Sequence, residues 1–381
     1  MDEVSILADE KRKYFTFAQN LNMHIHDNFI RRTFQLAQLG AGSVSPNPMV
    51  GAVLVHNDRI IGEGYHECYG HAHAEVNALK SVDEKDQHLI DKSTLYVSLE
   101  PCCIFGRTPP CTNLILENKI PKVVISCLDL TPKVAGNGVK ILRDAGVEIV
   151  SGILEKEGLW LSRFRRTFVT KDRPHIILKF AQSQDGFLGK PGEQVWLTNA
   201  YSKRYVHKIR SEIDAILIGS NTARVDNPQL TNRLYFGKSP LRIVLNKNKD
   251  LPTDLKIFQS AMPTWWVNKK INGQLPNSSA KLIKIAFNEM LLPNLMGKLQ
   301  EANVSSLMIE GGAATLQHFI DANLWDEAQV LTANVLIDNG IKAPSIFGEL
   351  QEKHDLGGDS LSIIQNMNQP ILPYIKRSQT I

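Results

Sequence analysis

Two separate series of alternating strand-like and helix-like segments limit the folds available to this chain of 381 residues. The first series covers residues 50–146 and the second covers residues 175–323. Strands that alternate with helices form sheets whose neighbouring strands are connected by helical crossovers. The sequence therefore predicts an α/β protein of two domains with a boundary near Asp172, so that the second domain covers residues 172–381.

The individual elements follow from local pattern. In residues 50–65, β-branched runs flank the pair Asn57-Asp58, which predicts two strands joined by a tight turn. Further strands are predicted at residues 94–100, 122–129, 175–181, 215–220 and 241–246, and residues 306–312 are predicted to run from a strand into a glycine turn. Helices are predicted at residues 73–80, 111–118, 138–146, 202–214 and 313–323. A glycine turn at Gly311-Gly312 leads into the last of these helices, where free amide groups can hold a phosphate.

The segment HAHAEVNALK, residues 71–80, places polar groups at the start of an apolar helix-like run. His73 offers one metal ligand, and Cys102 and Cys111 in the segment LEPCCIFGRTPPC offer two more. A catalytic zinc ion uses three protein ligands of these kinds and keeps a fourth position for water. The five cysteines are odd in number and lie in the first third of the chain, which argues against a disulfide framework.

Glu75 follows His73 by two residues, and this spacing indicates a role other than metal binding. In zinc-dependent nucleobase deaminases, an H-x-E segment pairs with a P-C…C segment, and the glutamate moves protons between water and the base. The sequence predicts the same role for Glu75 and leaves His71 near the ligands or at the surface. One alternative is a structural zinc site in which Cys103 closes the fourth position. Another is a zinc module without catalysis that is joined to a ligand-binding domain. A structural site has no use for Glu75.

Charge and hydropathy restrict the partners. The formal net charge is +4, no long basic block occurs, and aromatic residues make up 7% of the chain. A deaminase acting on RNA or DNA would need basic surface and exposed aromatic side chains, so a nucleic-acid partner is not expected. The sequence contains no signal-like N-terminus and no run of 18 apolar residues, which predicts a cytoplasmic protein without membrane contact.

Several motifs resemble the RibD family, the bifunctional deaminase and reductase enzymes of riboflavin biosynthesis. In the first half these are SPNPMVGAVLV (45–55), GHAHAEVNAL (70–79), LEPC (99–102) and GRTPPC (106–111). In the second half they are KFAQSQDG (179–186), VWLT (195–198), AILIGSNTARVDNPQLTNR (215–233), PLRIVL (240–245) and IEGG (309–312). The resemblance implies a cytidine-deaminase-like three-layer α/β/α domain followed by a dihydrofolate-reductase-like α/β domain, in a homo-oligomer.

The resemblance also implies two consecutive reactions on one phosphorylated pyrimidine. The first domain would deaminate 2,5-diamino-6-(5-phosphoribosylamino)pyrimidin-4(3H)-one with one zinc ion, and the second would reduce the ribosyl group with NADPH. By motif, zinc ligands are His73, Cys102 and Cys111, the catalytic residue is Glu75, and substrate contacts in the first domain are Asn47, His66 and Arg107. Contacts to NADPH are Ala181, Trp196, Thr222, Asp226 and Gly312. Substrate contacts in the second domain are Lys179, Gln194, Arg210, Leu230, Arg233 and Glu310, with Arg210 and Arg233 expected to bind the 5-phosphate.

The chain departs from the family pattern at two places. Cys103-Ile104 replaces the Ser-His pair that commonly follows the first cysteine ligand, and Ile104 cannot form a side-chain hydrogen bond. We expect zinc binding to persist and one polar contact to the substrate to be lost. Residues 1–22 have no counterpart in the family and are predicted to be a disordered extension without a role in either site.

Overall fold

The computed structural model describes residues 26–193 and 195–368. The predicted extension at residues 1–22 and the predicted substrate contact Gln194 lie outside the described residues. The chain divides into two compact units, Met1–Lys171 and Asp172–Ile381. Among the described residues, no helix is both long enough and apolar enough to cross a bilayer.

The first unit contains a five-stranded mixed sheet. Its strands are β1 Gly51–His56, β2 Arg59–Tyr65, β3 Thr94–Leu99, β4 Lys122–Cys127 and β5 Glu148–Ser151. They lie in the order β2-β1-β3-β4-β5, with β1 antiparallel to both neighbours and β3, β4 and β5 parallel. Asn57 and Asp58 have φ angles of 47° and 58°, the left-handed conformation of a two-residue hairpin turn, so the predicted hairpin is confirmed.

Helices cover both faces of this sheet. They are α1 at residues 26–38, α2 Ala74–Lys80, α3 Cys111–Glu117, α4 Asn137–Asp144, α5 Glu155–Leu161 and α6 Arg163–Lys171, with a 3-10 helix at Glu84–Lys92. Alternate residues of each strand enter different cores, because successive strand side chains point to opposite faces. Leu95 and Val97 pack with residues of α2, α3 and α4, whereas Tyr96 packs with residues of α1. The predicted three-layer α/β/α arrangement is confirmed.

The second unit contains a ten-stranded sheet. Its strands are β6 His175–Gln182, β8 Ala215–Gly219, β9 Leu241–Leu245, β10 Thr264–Asn268, β11 Gly273–Gln274, β12 Ala280–Lys284, β13 Ser306–Ile309, β14 Glu327–Thr332, β16 Glu349–Leu356 and β17 Asp359–Gln365. A separate pair joins β7 Phe187–Gly189 to β15 Ile341–Lys342. The large sheet has the order β11-β12-β10-β9-β8-β13-β6-β14-β17-β16, and its strands from β12 to β14 are parallel.

The helices of the second unit follow the strands as crossovers. They are α7 Ala200–Glu212, α8 Ser220–Asp226, α9 Lys256–Gln259, α10 Leu291–Glu301 and α11 Ala313–Asp321. Buried residues of α10 and α11, including Leu295 and Phe319, form one core with β6, β8, β9 and β13. In open parallel sheets, ligands bind at the carboxyl ends of the strands. A ligand site is therefore expected at the carboxyl ends of β6, β8 and β13.

Candidate active sites

The three predicted zinc ligands come from loop and helix ends beside the sheet of the first unit. His73 is the N-cap residue of α2 and has extended backbone angles. Cys102 lies three residues beyond the end of β3, and Cys111 is the first residue of α3. Pro110 caps α3 in an extended conformation, which fits proline at a helix start and ends the loop that carries both cysteines.

The ligand atoms of these residues converge. The Nδ1 atom of His73 lies 3.4 Å from the Sγ atom of Cys102 and 3.3 Å from that of Cys111. All three ligand atoms lie within 4.8 Å of one another, and the described residues contain no other such cluster. One nitrogen and two sulfur donors form the soft ligand set that zinc prefers. Cys103 does not join the cluster, because its thiol lies 3.7 Å from the carbonyl oxygen of Lys133.

The surroundings of Cys102 favour the thiolate form, which can bind a cation. Hydrogen bonds from Cys111 and His73 lower the pKa of Cys102 to about 4, and the backbone N–H of Cys111 donates to the same sulfur at 3.3 Å. The interaction with Cys102 raises the pKa of the Cys111 thiol, with burial adding to the increase. A cluster that holds one thiolate without a cation gains from a divalent metal, which stabilises both sulfurs in the deprotonated form. These residues therefore fit zinc.

Glu75 lies in the first turn of α2 and is only 3% exposed. Burial raises the pKa of its carboxyl group, and the charge of Cys102 raises it further. A carboxyl group with a raised pKa holds a proton more readily than an ordinary carboxylate, which suits a group that must accept a proton and return it. Its position next to the ligand cluster suits proton transfer better than structural support.

A cavity of about 320 Å³ adjoins this cluster. Asn47, His66, His73, Glu75, Cys102 and Arg107 all line it, so the structure brings the predicted deaminase residues together around one space. His71 is exposed and lies at the same cavity. Ile104 also lines it, so the departure from the family pattern falls on the cavity wall.

Hydrogen bonds fix the orientation of two of these side chains. The Nδ1 atom of His66 lies 3.0 Å from the carbonyl oxygen of Ala72, which can only accept, so this nitrogen carries the proton. Burial lowers the pKa of His66 and favours its neutral form, in which Nε2 accepts from the Asn47 amide at 3.1 Å. The guanidinium of Arg107 lies 4.7 Å from the centre of the Tyr69 ring, a cation–π contact.

Several residues at this cavity were not predicted. Thr108, Asp129, Thr131 and Arg165 line it, and Thr108 lies 3.4 Å from the Nε2 atom of His73. Glu100 is buried and accepts hydrogen bonds from backbone N–H groups of Asp129, Gly136 and Val139. Thr108 and Glu100 lie inside the motifs GRTPPC and LEPC, which offered a signal. Arg165 lies far from every motif.

In the second unit, three predicted substrate contacts form one ion-pair cluster. One carboxylate oxygen of Glu310 accepts from the Lys179 ammonium at 2.8 Å and the other accepts from Arg210 at 2.8 Å. Burial alone would raise the pKa of Glu310, but Arg210 and Lys179 reverse this effect and lower it to about 2. The positive charge of Arg210, expected to bind phosphate, is therefore already paired with a carboxylate.

Two other predicted contacts lie on the segment after α8. The Arg233 side chain is exposed and donates to the Thr231 hydroxyl at 2.8 Å, while its backbone N–H donates to the Nδ1 atom of His207 at 2.9 Å. Burial lowers the pKa of His207 to about 4, so this ring is a neutral acceptor. Leu230 is buried with a φ of 56°. Arg233 is thus held by its backbone with an available guanidinium.

The predicted cofactor contacts lie near the carboxyl ends of β6, β8 and β13. Ala181 lies near the end of β6, and Thr222 and Asp226 belong to α8, which follows β8 directly. Gly312 is the N-cap residue of α11 and donates its N–H to the Thr222 hydroxyl at 2.9 Å. Trp196 is 70% exposed, with the Lys203 ammonium 4.4 Å from its ring centre.

The backbone segments at Gly311 and Gly219 approach each other closely at this edge. A Cβ atom on Gly311 would lie 3.1 Å from the backbone nitrogen of Gly219, at the end of β8. The adjacent α8 and α11 can therefore place their first amide groups near one ligand, as dinucleotide-binding loops do. The residues of this edge fit a nicotinamide dinucleotide.

Comparison with protein families assigns both halves. Residues 23–127 match the cytidine and deoxycytidylate deaminase zinc-binding region, and residues 174–362 match the RibD C-terminal domain. The chain is 37% identical over 368 residues to the riboflavin biosynthesis protein RibD of Aquifex aeolicus, which covers 93% of this chain and 99% of the relative. It is 34% identical to RibD of Actinobacillus pleuropneumoniae, with 93% and 92% covered.

Solved structures give the same result. The diaminohydroxyphosphoribosylaminopyrimidine deaminase/5-amino-6-(5-phosphoribosylamino)uracil reductase of Thermotoga maritima superposes with a TM-score of 0.82 at 32% identity, covering 90% of this chain and 99% of that chain. RibD of Acinetobacter baumannii superposes with a TM-score of 0.81 at 29% identity and the same coverage. These relatives span both units and both sites. The chain belongs to the RibD family of bifunctional riboflavin-biosynthesis enzymes, with a zinc-dependent deaminase half and an NADPH-dependent reductase half.

Proposed function

We propose that residues 23–171 form a domain that removes the 2-amino group of 2,5-diamino-6-(5-phosphoribosylamino)pyrimidin-4(3H)-one by hydrolysis. Residues 172–381 then reduce the ribosyl group to give 5-amino-6-(5-phosphoribitylamino)uracil. The observation that carries this proposal is the buried Glu75 carboxyl beside the cluster of His73, Cys102 and Cys111, at the wall of one cavity. The Thermotoga maritima relative bears the names of both activities, which supports the same pair of substrates here.

In the deaminase, His73, Cys102 and Cys111 would hold the zinc ion, which supplies activation of a water molecule at neutral pH. Glu75 accepts one proton of the attacking water and delivers it to a ring nitrogen. It then takes the hydroxyl proton of the resulting adduct and passes it to the amino group, which leaves as ammonia while the carbonyl group forms. Its raised pKa matches this exchange, because a carboxyl group that is too acidic would not return the proton. Proton transfer of this kind contributes roughly 10²- to 10⁴-fold to a rate.

Asn47, His66 and Arg107 orient the pyrimidine. Because the Asn47 amide N–H donates to His66, the Asn47 carbonyl oxygen is left to accept a hydrogen bond from the substrate. Arg107 lies at the same cavity, with Tyr69 supporting one face of its guanidinium. These contacts hold the reacting carbon of the pyrimidine near the attacking water and Glu75. They thereby reduce the entropic part of the activation free energy for deamination.

In the reductase, bound NADPH supplies the hydride, and the protein fixes distance and orientation. Gly312 and Thr222 would hold the cofactor phosphates near the helix starts, and Ala181, Asp226 and Trp196 would line the rest of the cofactor site. Glu310 keeps Lys179 and Arg210 in place and can accept a hydrogen bond from a sugar hydroxyl. Arg233 offers the exposed guanidinium for the 5-phosphate.

We further propose that the protein is a cytoplasmic homo-oligomer without a nucleic-acid or membrane partner. The five cysteines are all free, which is typical of a reducing compartment. β16 is the last strand of the large sheet, and Leu350 in it and the nearby Phe347 are exposed by 55% and 79%. An exposed strand edge with apolar side chains favours pairing between chains. Analytical ultracentrifugation would test the oligomer, and a purely monomeric species would contradict it.

The two activities can be separated in one assay. Ammonia release is measured first without NADPH, and NADPH oxidation is measured after the cofactor is added. Glu75→Gln is expected to lower ammonia release by roughly 10²- to 10⁴-fold, because the amide cannot carry the proton. Bound zinc, and reduction of the deaminated intermediate, should remain. Glu117→Gln, an exposed site on α3, is the matched control. Full ammonia release by Glu75→Gln would overturn the proposed role.

A further inference from the structure

Arg165 is a cation at the wall of the deaminase cavity that neither the family motifs nor the proposed chemistry uses. It belongs to α6, and its side chain reaches the cavity. Its Nη1 atom donates to the carbonyl oxygen of Pro46 at 3.3 Å, and its Nη2 atom donates to the hydroxyl of Thr131 at 3.2 Å. Its Nε atom is buried and has no hydrogen-bond partner.

The charge of this guanidinium is not neutralised. In the described part of the chain, both hydrogen-bond acceptors of Arg165 are neutral oxygens, and no carboxylate lies within ion-pair distance. Burial lowers the pKa of Arg165, and the charge of Asp129 at the same cavity opposes this effect. One oxygen of Asp129 accepts from the backbone N–H of Thr131 at 2.8 Å. A buried, unpaired cation is costly in a folded protein and calls for a reason.

Arg166, the next residue, is a useful comparison because it is buried like Arg165 but does not line the cavity. Its Nε atom is also buried without a partner, and burial lowers its pKa as well. Its Nη1 atom donates to the carbonyl oxygen of Leu159 at 2.8 Å, and it does not line the cavity. The two arginines have the same chemistry in the same helix, and only Arg165 can meet a ligand.

Among the residues that the structure describes, Arg107 and Arg165 are the two arginines that line the cavity, and no lysine does. They come from different segments, the loop after β3 and α6, and both contact the same cavity that ends at His73 and Glu75. The proposed substrate has a pyrimidine ring that must reach Glu75 and a phosphate that must lie some distance from it. A monophosphate carries a charge of about −1.5 to −2 and pairs well with two guanidinium groups.

We propose that Arg165, together with Arg107, binds the 5-phosphate of the substrate in the deaminase cavity. This inference rests on the proposed function, because it assumes that the phosphorylated pyrimidine enters this cavity. The phosphate supplies the anion that Arg165 lacks. Arg165 also donates a hydrogen bond to the carbonyl oxygen of Pro46, which directly precedes Asn47. The residue proposed to bind the phosphate is therefore hydrogen-bonded to the backbone next to the residue proposed to orient the ring. The deaminase should therefore select the phosphorylated compound over its dephosphorylated nucleoside.

The test compares ammonia release from the phosphorylated pyrimidine and from the same compound without phosphate, using the full chain loaded with zinc. Arg165→Gln removes the charge but retains a group that can donate to Pro46 and Thr131. Arg165→Lys keeps the charge without the paired donors. Arg166→Gln is the matched control. Inhibition of ammonia release by ribose 5-phosphate, compared with ribose, reports on this cavity alone, because reduction is not measured.

Arg165→Gln is expected to lower kcat/KM for the phosphorylated substrate by roughly 10- to 100-fold, mainly through KM, because a hydrogen-bonded charge is lost. The value for the dephosphorylated compound should not change, Arg165→Lys should fall between, and Arg166→Gln should keep the wild-type preference. Ribose 5-phosphate should inhibit the wild type better than ribose, and this difference should shrink in Arg165→Gln.

Equal loss on both compounds, or no loss on either, would show that Arg165 only supports the fold and would overturn the inference. If Arg165→Gln does not fold, the comparison of Arg165→Lys with wild type and the ribose 5-phosphate inhibition of wild type decide the same question. Wild-type protein that retains zinc but releases no ammonia from the phosphorylated pyrimidine would instead contradict the proposed function itself.

Discussion

Ile104 shows how one side chain can tune the deaminase without removing it. It is 38% exposed and lines the cavity, where the family commonly has a histidine. An isoleucine side chain cannot form a hydrogen bond with the substrate. The site is therefore predicted to bind the substrate less tightly than it would with a hydrogen-bonding side chain at position 104. The zinc ligands are unaffected, because their cluster is complete without residue 104.

Ile104→His is therefore expected to raise kcat/KM for deamination by roughly 10-fold, the value of one additional hydrogen bond to a bound ligand. Steady-state ammonia release measures the change. Ile141→His is the control, since Ile141 is 41% exposed on α4 and does not line the cavity. An unchanged kcat/KM in Ile104→His would remove the hypothesis that a polar contact is missing.

The ionisation of Glu310 makes the stability of the protein depend on pH. Its pKa is lowered from 4.5 to about 2 in the folded protein, because Arg210 and Lys179 stabilise the carboxylate. A group with a lowered folded pKa contributes stability above its unfolded pKa and loses it as the pH falls through the folded value. We therefore expect the free energy of unfolding to decrease as the pH is lowered from 4.5 towards 2.

Glu310→Gln should abolish this part of the pH dependence and should also destabilise the protein at neutral pH by about 3–5 kcal/mol, because two buried cations lose their partner. Urea unfolding followed by circular dichroism at several pH values measures both effects. Wild-type and Glu310→Gln curves that run parallel below pH 4.5 would contradict the assignment.

At the scale of elements, Glu100 connects the loop after β3 to the start of α4. Its carboxylate accepts from the N–H groups of Asp129, Gly136 and Val139 at 3.2, 2.9 and 3.1 Å. The same loop packs closely on α4, since a Cβ atom on Gly138 would lie 2.3 Å from the carbonyl oxygen of Pro101. Cys102 follows this contact directly, so the position of a zinc ligand depends on a buried carboxylate.

Glu100→Gln places an amide N–H₂ against backbone donors and leaves at least one of them without an acceptor. We expect a loss of about 1–3 kcal/mol in the free energy of unfolding, together with weaker zinc binding. Chemical denaturation and a competitive zinc titration measure the two effects. The exposed variant Glu117→Gln should change neither. Normal stability of Glu100→Gln would show that these hydrogen bonds do not anchor the loop.

At the scale of the whole molecule, the two sites draw their residues from different units. The proposed zinc ligands lie within Met1–Lys171, and the cluster of Lys179, Arg210 and Glu310 lies within Asp172–Ile381. Removal of zinc by a chelator is therefore expected to abolish ammonia release and to leave reduction of the deaminated intermediate intact. Added zinc should restore the first activity. A parallel loss of reduction would show that the second activity depends on metal.

The sequence predicted strands correctly where an apolar run in the sequence forms a buried strand in the fold. β1, β3, β4 and β6 are apolar and buried, and each lies within one or two residues of its predicted range. β16, by contrast, has the sequence ELQEKHDL and is almost entirely exposed, so no alternation of apolar residues marks it. It is a strand because β17 supplies its hydrogen bonds, and that pairing is not encoded in local pattern.

The sequence by itself determined the candidate metal ligands His73, Cys102 and Cys111, the proton-transfer candidate Glu75 and the two α/β halves, because these depend on residue type and on short-range spacing. Only the tertiary structure decided that Arg165 reaches the deaminase cavity, that Glu100 supports the loop of Cys102, and that Arg210 is already paired with Glu310. The physical reason is separation along the chain. Arg210 and Glu310 are 100 residues apart, and only the folded sheet brings a charge to its partner.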